Sequence, residues 1–109
     1  MFLLIIRIGA RVQYEYCNII KETSQTYRIS HSKLLGLQRI SKSKLDNISY
    51  CYNDEYYFIK KINEKNIEYT KQLINKIKTE VINIFKKQIS RYENKINFYE
   101  KCMSEEFSY

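Results

Sequence analysis

The spacing of apolar residues changes once along the chain. Before about residue 60 they come in short runs or at every second position, and after Asn63 they recur at intervals of three and four. Phe2-Leu-Leu-Ile-Ile-Arg-Ile8 is almost uninterrupted apolar sequence, which suits a strand covered on both faces. Arg11-Val-Gln-Tyr-Glu-Tyr16 alternates, placing Val12, Tyr14 and Tyr16 on one face of a second strand that Ile19-Ile20 extends. Gly9-Ala10 supplies the bend between the two. Glu22-Thr-Ser-Gln25 is a polar turn and Thr26-Tyr-Arg-Ile29 its return strand, so residues 11–30 predict a hairpin. Leu34 to Ile40 predicts another short strand around Gly36, and Ser41 to Asp46 a turn or a single helical turn. Ser49–Tyr52 and Tyr56–Ile59 predict a second hairpin through Asn53–Glu55. Short strands in this number make a small antiparallel, barrel-like sheet, whose thin core gains from a helix packed across it.

The second period begins at Asn63, a suitable N-cap, with Glu64 in the first turn where the helix dipole favours negative charge. Ile67, Thr70, Ile74, Ile77, Val81, Phe85, Ile89, Tyr92, Ile96, Tyr99 and Met103 then follow at steps of 3-4-3-4-4-4-3-4-3-4. This is a heptad seam with one additional four-residue step, which relaxes left-handed supercoiling without ending the helix. The expected fold class is therefore α+β: an antiparallel β head over 1–61 and a long basic amphipathic helix with a short acidic tail over 62–109. Such a helix is about 60 Å long and overreaches a head about 25 Å across. Its distal stripe needs a cover: a second copy in a coiled coil, a fold-back near Ser90–Asn94 as a helical hairpin, or a foreign partner. The expectation taken forward is a homodimer held by Ile77, Val81, Phe85, Ile89, Tyr92, Ile96 and Tyr99.

Charge adds a partner class. The 109 residues carry 19 Lys+Arg against 12 Asp+Glu, a net charge of +7. From Thr23 to Leu45 there is no acid, while Arg28, Lys33, Arg39, Lys42 and Lys44 all fall there. A second basic stretch runs from Lys65 to Lys95, and the chain ends acidic. Positive surface of this kind attracts polyanions. Arg28, Lys33, Arg39, Lys42 and Lys44 are thus candidate partner-binding residues, with neighbouring serine hydroxyls suited to phosphate oxygens. Tyr56 and Tyr57 point to opposite faces of their strand, so one of them is expected outside, beside Lys60 and Lys61, at a contact surface. Lys65, Lys76 and Lys87 recur at eleven residues and share a helix face. The plainer readings are a solvated loop, core tyrosines and an ordinary charged helix exterior.

Catalytic chemistry finds little to stand on. His31 is the one histidine and has no carboxylate near it in sequence. Cys17, Cys51 and Cys102 are widely separated, which matches no zinc spacing and suits free thiols in a reducing compartment. Asp46, Asp54 and Glu55 match no calcium loop, and there is neither a Gly-rich phosphate loop nor a nucleophile motif. The expectation is a protein that is not an enzyme and holds no cofactor or metal. The apolar start is too short for a membrane span, which needs about 20 residues, and reads as a buried strand of a cytoplasmic protein.

The order of pieces adds a resemblance. A strand ending Lys21-Glu-Thr23, a return strand Thr26-Tyr-Arg-Ile29, then Arg39-Ile-Ser-Lys-Ser-Lys-Leu-Asp46, a Tyr56-Tyr-Phe58 strand and a long lysine-rich helix resembles small phage or mobile-element proteins with a β-barrel-like head. Anti-CRISPR proteins, non-catalytic inhibitors of RNA-guided nucleases, are of this kind. The likeness spans about residues 11–100, leaves Phe2–Ile8 outside and transfers no functional residue. It implies a host nuclease, or another nucleic-acid-handling complex in the host cytoplasm, as the partner that this protein occludes. The alternatives are a module that binds RNA or DNA directly and a structural coiled-coil dimer or assembly protein.

Overall fold

The computed structural model describes residues 1–51 and 54–104, except the side chains of Met103 and Ser104. The strands are β1 (Phe2–Ile8), β2 (Val12–Glu22), β3 (Thr26–Ile29), β4 (Arg39–Ser41), β5 (Ser49–Tyr50) and β6 (Tyr56–Ile62), and one helix, α1 (Ile67–Ser104), follows. The fold is α+β: a curled antiparallel half-barrel sheet and one long C-terminal helix.

The sheet order is β4-β3-β2-β1-β6-β5, with the most apolar strand near its middle. β1 pairs along its whole length with β2, from Phe2↔Asn18 to Ile8↔Val12, and with β6, from Phe2↔Ile62 to Ile8↔Tyr56. Leu3, Leu4, Ile5 and Ile6 are all fully buried, as a run without alternation requires when both faces are covered. Each such side chain contributes about 1.5–3 kcal/mol by leaving water. On the inner face Leu3 and Ile5 meet Cys17, Tyr27, Ile29, Ile40 and Ile59. On the other face the first turns of α1 come down: Thr70 is fully buried, and its hydroxyl lies 2.6 Å from that of Tyr16.

β2 continues through Ile19-Ile20 to Glu22 as expected, with a register shift between Ile19 and Lys21. Other expectations need correction. Val12, Tyr14 and Tyr16 share a face as expected, but Val12 and Tyr14 are exposed. Leu34 to Ile40 does not form a strand. Instead, the Glu15 carboxylate accepts from the Ser32 hydroxyl, the Lys33 amide (3.2 Å) and the Leu34 amide (3.1 Å), and Gly36 turns the chain at φ 66°. Only Arg39–Ser41 remains extended. The expected hairpin from Ser49 to Ile59 is present as β5 and β6, while its Tyr52 and Asn53 lie outside the described residues.

The helix starts later than Asn63, because Ile62 still pairs with Phe2 in the sheet. Asn66 is the cap: its Oδ1 accepts from the Tyr69 amide at 3.0 Å. From Ile67 the helix is unbroken to Ser104, so there is no fold-back at Ser90–Asn94. With no proline anywhere and both glycines in the first third, nothing there forces a break. By compactness the chain divides into two units, Met1–Ile77 and Lys78–Tyr109. No helix among the described residues is long and apolar enough to cross a membrane.

Candidate basic groove of the β head

The pairing of β3 with β4 sets Tyr27 opposite Ile40, both buried, and therefore Arg28 opposite Arg39, both exposed. Directly opposed like charges, whose Cβ atoms lie about 5 Å apart in such a ladder, destabilise a sheet. Neither arginine has an ion pair among the described residues. Around them lies an open depression of about 440 Å³ lined by Arg28, Leu37, Gln38 and Arg39. It shares Leu37 and Arg39 with a second cleft of about 260 Å³. The apolar floor of that cleft is Leu35, Leu37, Ile40 and Ile59, and Arg39, Ser41, Lys44, Ser49 and Tyr57 form its rim.

The cleft exists because the two ends of the curled sheet are tied by a loop rather than by a ladder. After β4, a single 3₁₀ turn at Lys42–Lys44 is capped by Ser41, whose hydroxyl accepts from the Ser43 amide at 3.4 Å and lies 2.9 Å from the Ser43 hydroxyl. Leu45 then makes one isolated parallel bridge to Ile59, and the Asp46 amide donates to the Ile59 carbonyl at 2.9 Å. Asp46 takes φ 60° to make this turn. The space between β4 and β6 above that single bridge is the cleft.

The structure sorts the sequence candidates into free and engaged groups. Arg28, Lys33, Arg39 and Lys44 are exposed without an ion pair among the described residues. Lys42 and Lys61 instead converge on Glu22, at 3.2 and 3.5 Å, and lie 5.0 and 5.3 Å from the centre of the Tyr27 ring. Tyr27, and then Lys42, hold the Glu22 carboxyl below its usual range, and the Tyr27 hydroxyl pushes the Lys61 ammonium up. Lys60 pairs with Asp46 at 3.1 Å, which likewise raises its pKa. These lysines are paired with acids of the head rather than left as open charge.

Lys65 sits 5.3 Å from the Phe2 ring centre and 5.8 Å from that of Tyr16, beside the start of α1. Lys76 and Lys87 are exposed on the helix. Of the tyrosine pair, Tyr56 is the inner one, 4% exposed and edge-to-face with Tyr50 at 5.3 Å, so it does not offer a contact surface. Tyr57 is half-buried on the groove rim, with the Arg7 guanidinium 5.9 Å from its ring centre. The self-association residues divide too. Ile77 and Val81 are buried, Phe85 is half-buried, and Ile89, Tyr92, Ile96 and Tyr99 are exposed.

Two features escaped the sequence reading. The apolar floor joins Leu35 and Leu37 to Ile59, which only the curl of the sheet brings together. Arg7 forks onto Glu55 at 2.6 and 3.0 Å, which pushes the guanidinium pKa up still further. A glycine is needed beside this pair, since a Cβ at Gly9 would come 2.8 Å from Glu55 Cγ. All three cysteines are free thiols, and burial, reinforced by the Glu15 carboxylate, pushes Cys17 up to about 11. Among the described residues no group of three or more His, Cys, Asp or Glu is placed to hold a metal ion. No protein-family model matches the chain, and no curated protein or solved structure matches it.

Proposed function

We propose that this is a non-catalytic binding protein whose β head docks on a nucleic-acid-handling complex and covers its phosphate-bearing path with the Arg28–Arg39 groove. The supporting observation is the uncompensated cross-strand arginine pair. Two guanidinium forks side by side suit the oxygens of a phosphate or a run of phosphates, and an anion bridging them removes the repulsion the free protein carries. Lys44 and the Ser49 side of the adjoining cleft extend the polar rim, and the apolar floor accepts an unstacked base or an apolar side chain of the partner. The finer reading, an RNA-guided defence nuclease as the target and stoichiometric occlusion as the mechanism, leans on the resemblance of the strand and loop strings. The same groove also supports direct binding of RNA or DNA as the alternative.

Titration of the protein into an RNA-guided nuclease tests both readings, with cleavage measured alongside fluorescence anisotropy of free single-stranded RNA. Occlusion predicts loss of cleavage that saturates near one protein per complex, and relief of inhibition by Arg28→Glu with Arg39→Glu. Anisotropy rising on free RNA, and weakening steeply between 50 and 200 mM salt, supports the direct module. Unimpaired cleavage at excess protein together with no RNA binding at low salt overturns both.

A further inference from the structure

The second unit poses a different problem. From Lys86 through Cys102 every residue of α1 is exposed, so among the described residues nothing packs over this stretch. Its composition does not compensate: Ser90, Asn94 and Asn97 favour caps and turns, and Ile and Tyr lose rotamer freedom in a helix. A helix of this length and composition is marginal in water unless an amphipathic face is covered. Ile89, Tyr92, Ile96 and Tyr99 form that face, 55%, 66%, 54% and 51% exposed.

We infer that the Ile89–Tyr99 face of α1 binds the same face of a second copy, as a parallel, in-register two-stranded coiled coil. The spacing sets Ile89 and Ile96 at the a positions of a heptad and Tyr92 and Tyr99 at the d positions. Within a parallel coiled coil, β-branched residues at a favour two strands over three or four. The flanking charges then choose the direction. Lys95 falls at g and Glu100 at the following e, so a parallel pair sets Lys95 of each copy against Glu100 of the other, twice. An antiparallel pair with the same apolar contacts would bring Lys95 against Lys95 and Glu93 against Glu93 near its centre. None of Glu93, Lys95 and Glu100 has an ion pair among the described residues of one chain, which leaves all three free for such a contact.

The area is also sufficient, narrowly. Two isoleucines and two tyrosines about half exposed present on the order of 500 Å² per copy, and their pairing buries on the order of 1,000 Å², the lower limit of a specific interface. The dimer is therefore weak, of micromolar class, and the shortened seam explains why. Ile77 and Val81 continue the apolar pattern but are buried.

Sedimentation equilibrium of the full chain over 1–200 µM tests the inference. The expected result is a concentration-dependent dimer that Ile89→Asp with Ile96→Asp abolishes. Because the uncovered stretch is marginal alone, the helical signal per chain should fall along with the dimer, while urea unfolding of the β head stays unchanged. Lys95→Glu alone and Glu100→Lys alone should each weaken dimerisation about three- to tenfold, as two lost surface pairs imply, and the double exchange should restore it. A monomer throughout the range, or a dimer indifferent to the two aspartates, overturns the proposal and assigns the face to a foreign partner or to none. Failure of the double exchange to restore the dimer overturns the parallel register.

Discussion

Arg39→Glu makes opposite predictions for stability and for binding. In the free protein Arg28 and Arg39 face each other across β3 and β4 without an ion pair among the described residues. Replacing one by glutamate removes a directly opposed like-charge pair and creates an attractive one, and cross-strand pairs of this kind shift stability by about 0.2–1 kcal/mol each way. Both arginines are exposed, so water and salt screen the charges, and a net gain of about 0.5–1 kcal/mol is expected. For a domain of this size that raises the melting temperature by about 2–8 °C. Arg39→Thr keeps a good strand former and relieves the repulsion without adding attraction, so it should recover about half of the gain. Thermal melts followed by circular dichroism at 20 mM and 1 M salt make the measurement, and the gain should shrink at high salt. On the partner, Arg39→Glu should weaken binding at least tenfold and lower the slope of log affinity against log salt by about one for the lost phosphate contact. A variant that melts lower than the parent would show that the pair is not strained. One that gains stability and still binds normally would remove the groove from the function.

Two further outcomes follow from the rest of the head. Tyr16→Phe, which deletes the hydroxyl 2.6 Å from buried Thr70, should cost about 0.5–1.5 kcal/mol in urea unfolding, and Asn66→Ala about 1 kcal/mol through the lost cap. The Cys17 thiol is raised from 9.0 to about 11 in the folded chain, so the unfolded chain releases this proton first. Its contribution to stability is full below pH 9 and is lost as pH rises from about 9 through 11, which a shallower pH dependence of the urea midpoint in Cys17→Ala would report. In the native protein at pH 8, exposed Cys102 should react with a thiol reagent and Cys17 should not until denaturant is added.

What the sequence made legible is what short-range pattern controls. The uninterrupted run of β1 announced a doubly covered strand, the Glu22–Gln25 turn announced the β2–β3 hairpin, and the three-and-four spacing announced one long helix. What it hid depends on contacts distant in sequence. Leu34 to Ile40 reads as a strand by residue type, yet Glu15 captures the amides of Lys33 and Leu34 and bends the segment away from the sheet. Asn63 looks like a cap, but pairing of Ile62 with Phe2 keeps the chain extended past it, so that Asn66 takes the role. For the groove, the five basic residues between Thr23 and Leu45 were visible as a cluster, and their division was not. Lys42 is drawn to Glu22, an acid just before that stretch, and to the face of Tyr27. Arg28 and Arg39 are left facing each other by a strand register that only the assembled sheet fixes.

The placement of the acids makes the groove more than a by-product of a basic composition. In residues 1–62 there are ten basic side chains and five acidic ones. Glu15 is spent on backbone amides, Glu22 on Lys42 and Lys61, Asp46 on Lys60, and Glu55 on Arg7. Among the described residues of the head only Asp54 has no such contact. A head selected for stability alone gains by setting an acid across from Arg28, a single-residue change at an exposed position of an edge strand. The chain has arginine there and uses its acids elsewhere, beside a cleft lined by Leu35, Leu37, Ile40 and Ile59. That arrangement costs the free protein a little stability and becomes favourable when an anion lies across the two guanidinium groups, which is the physical basis of the proposed partner site.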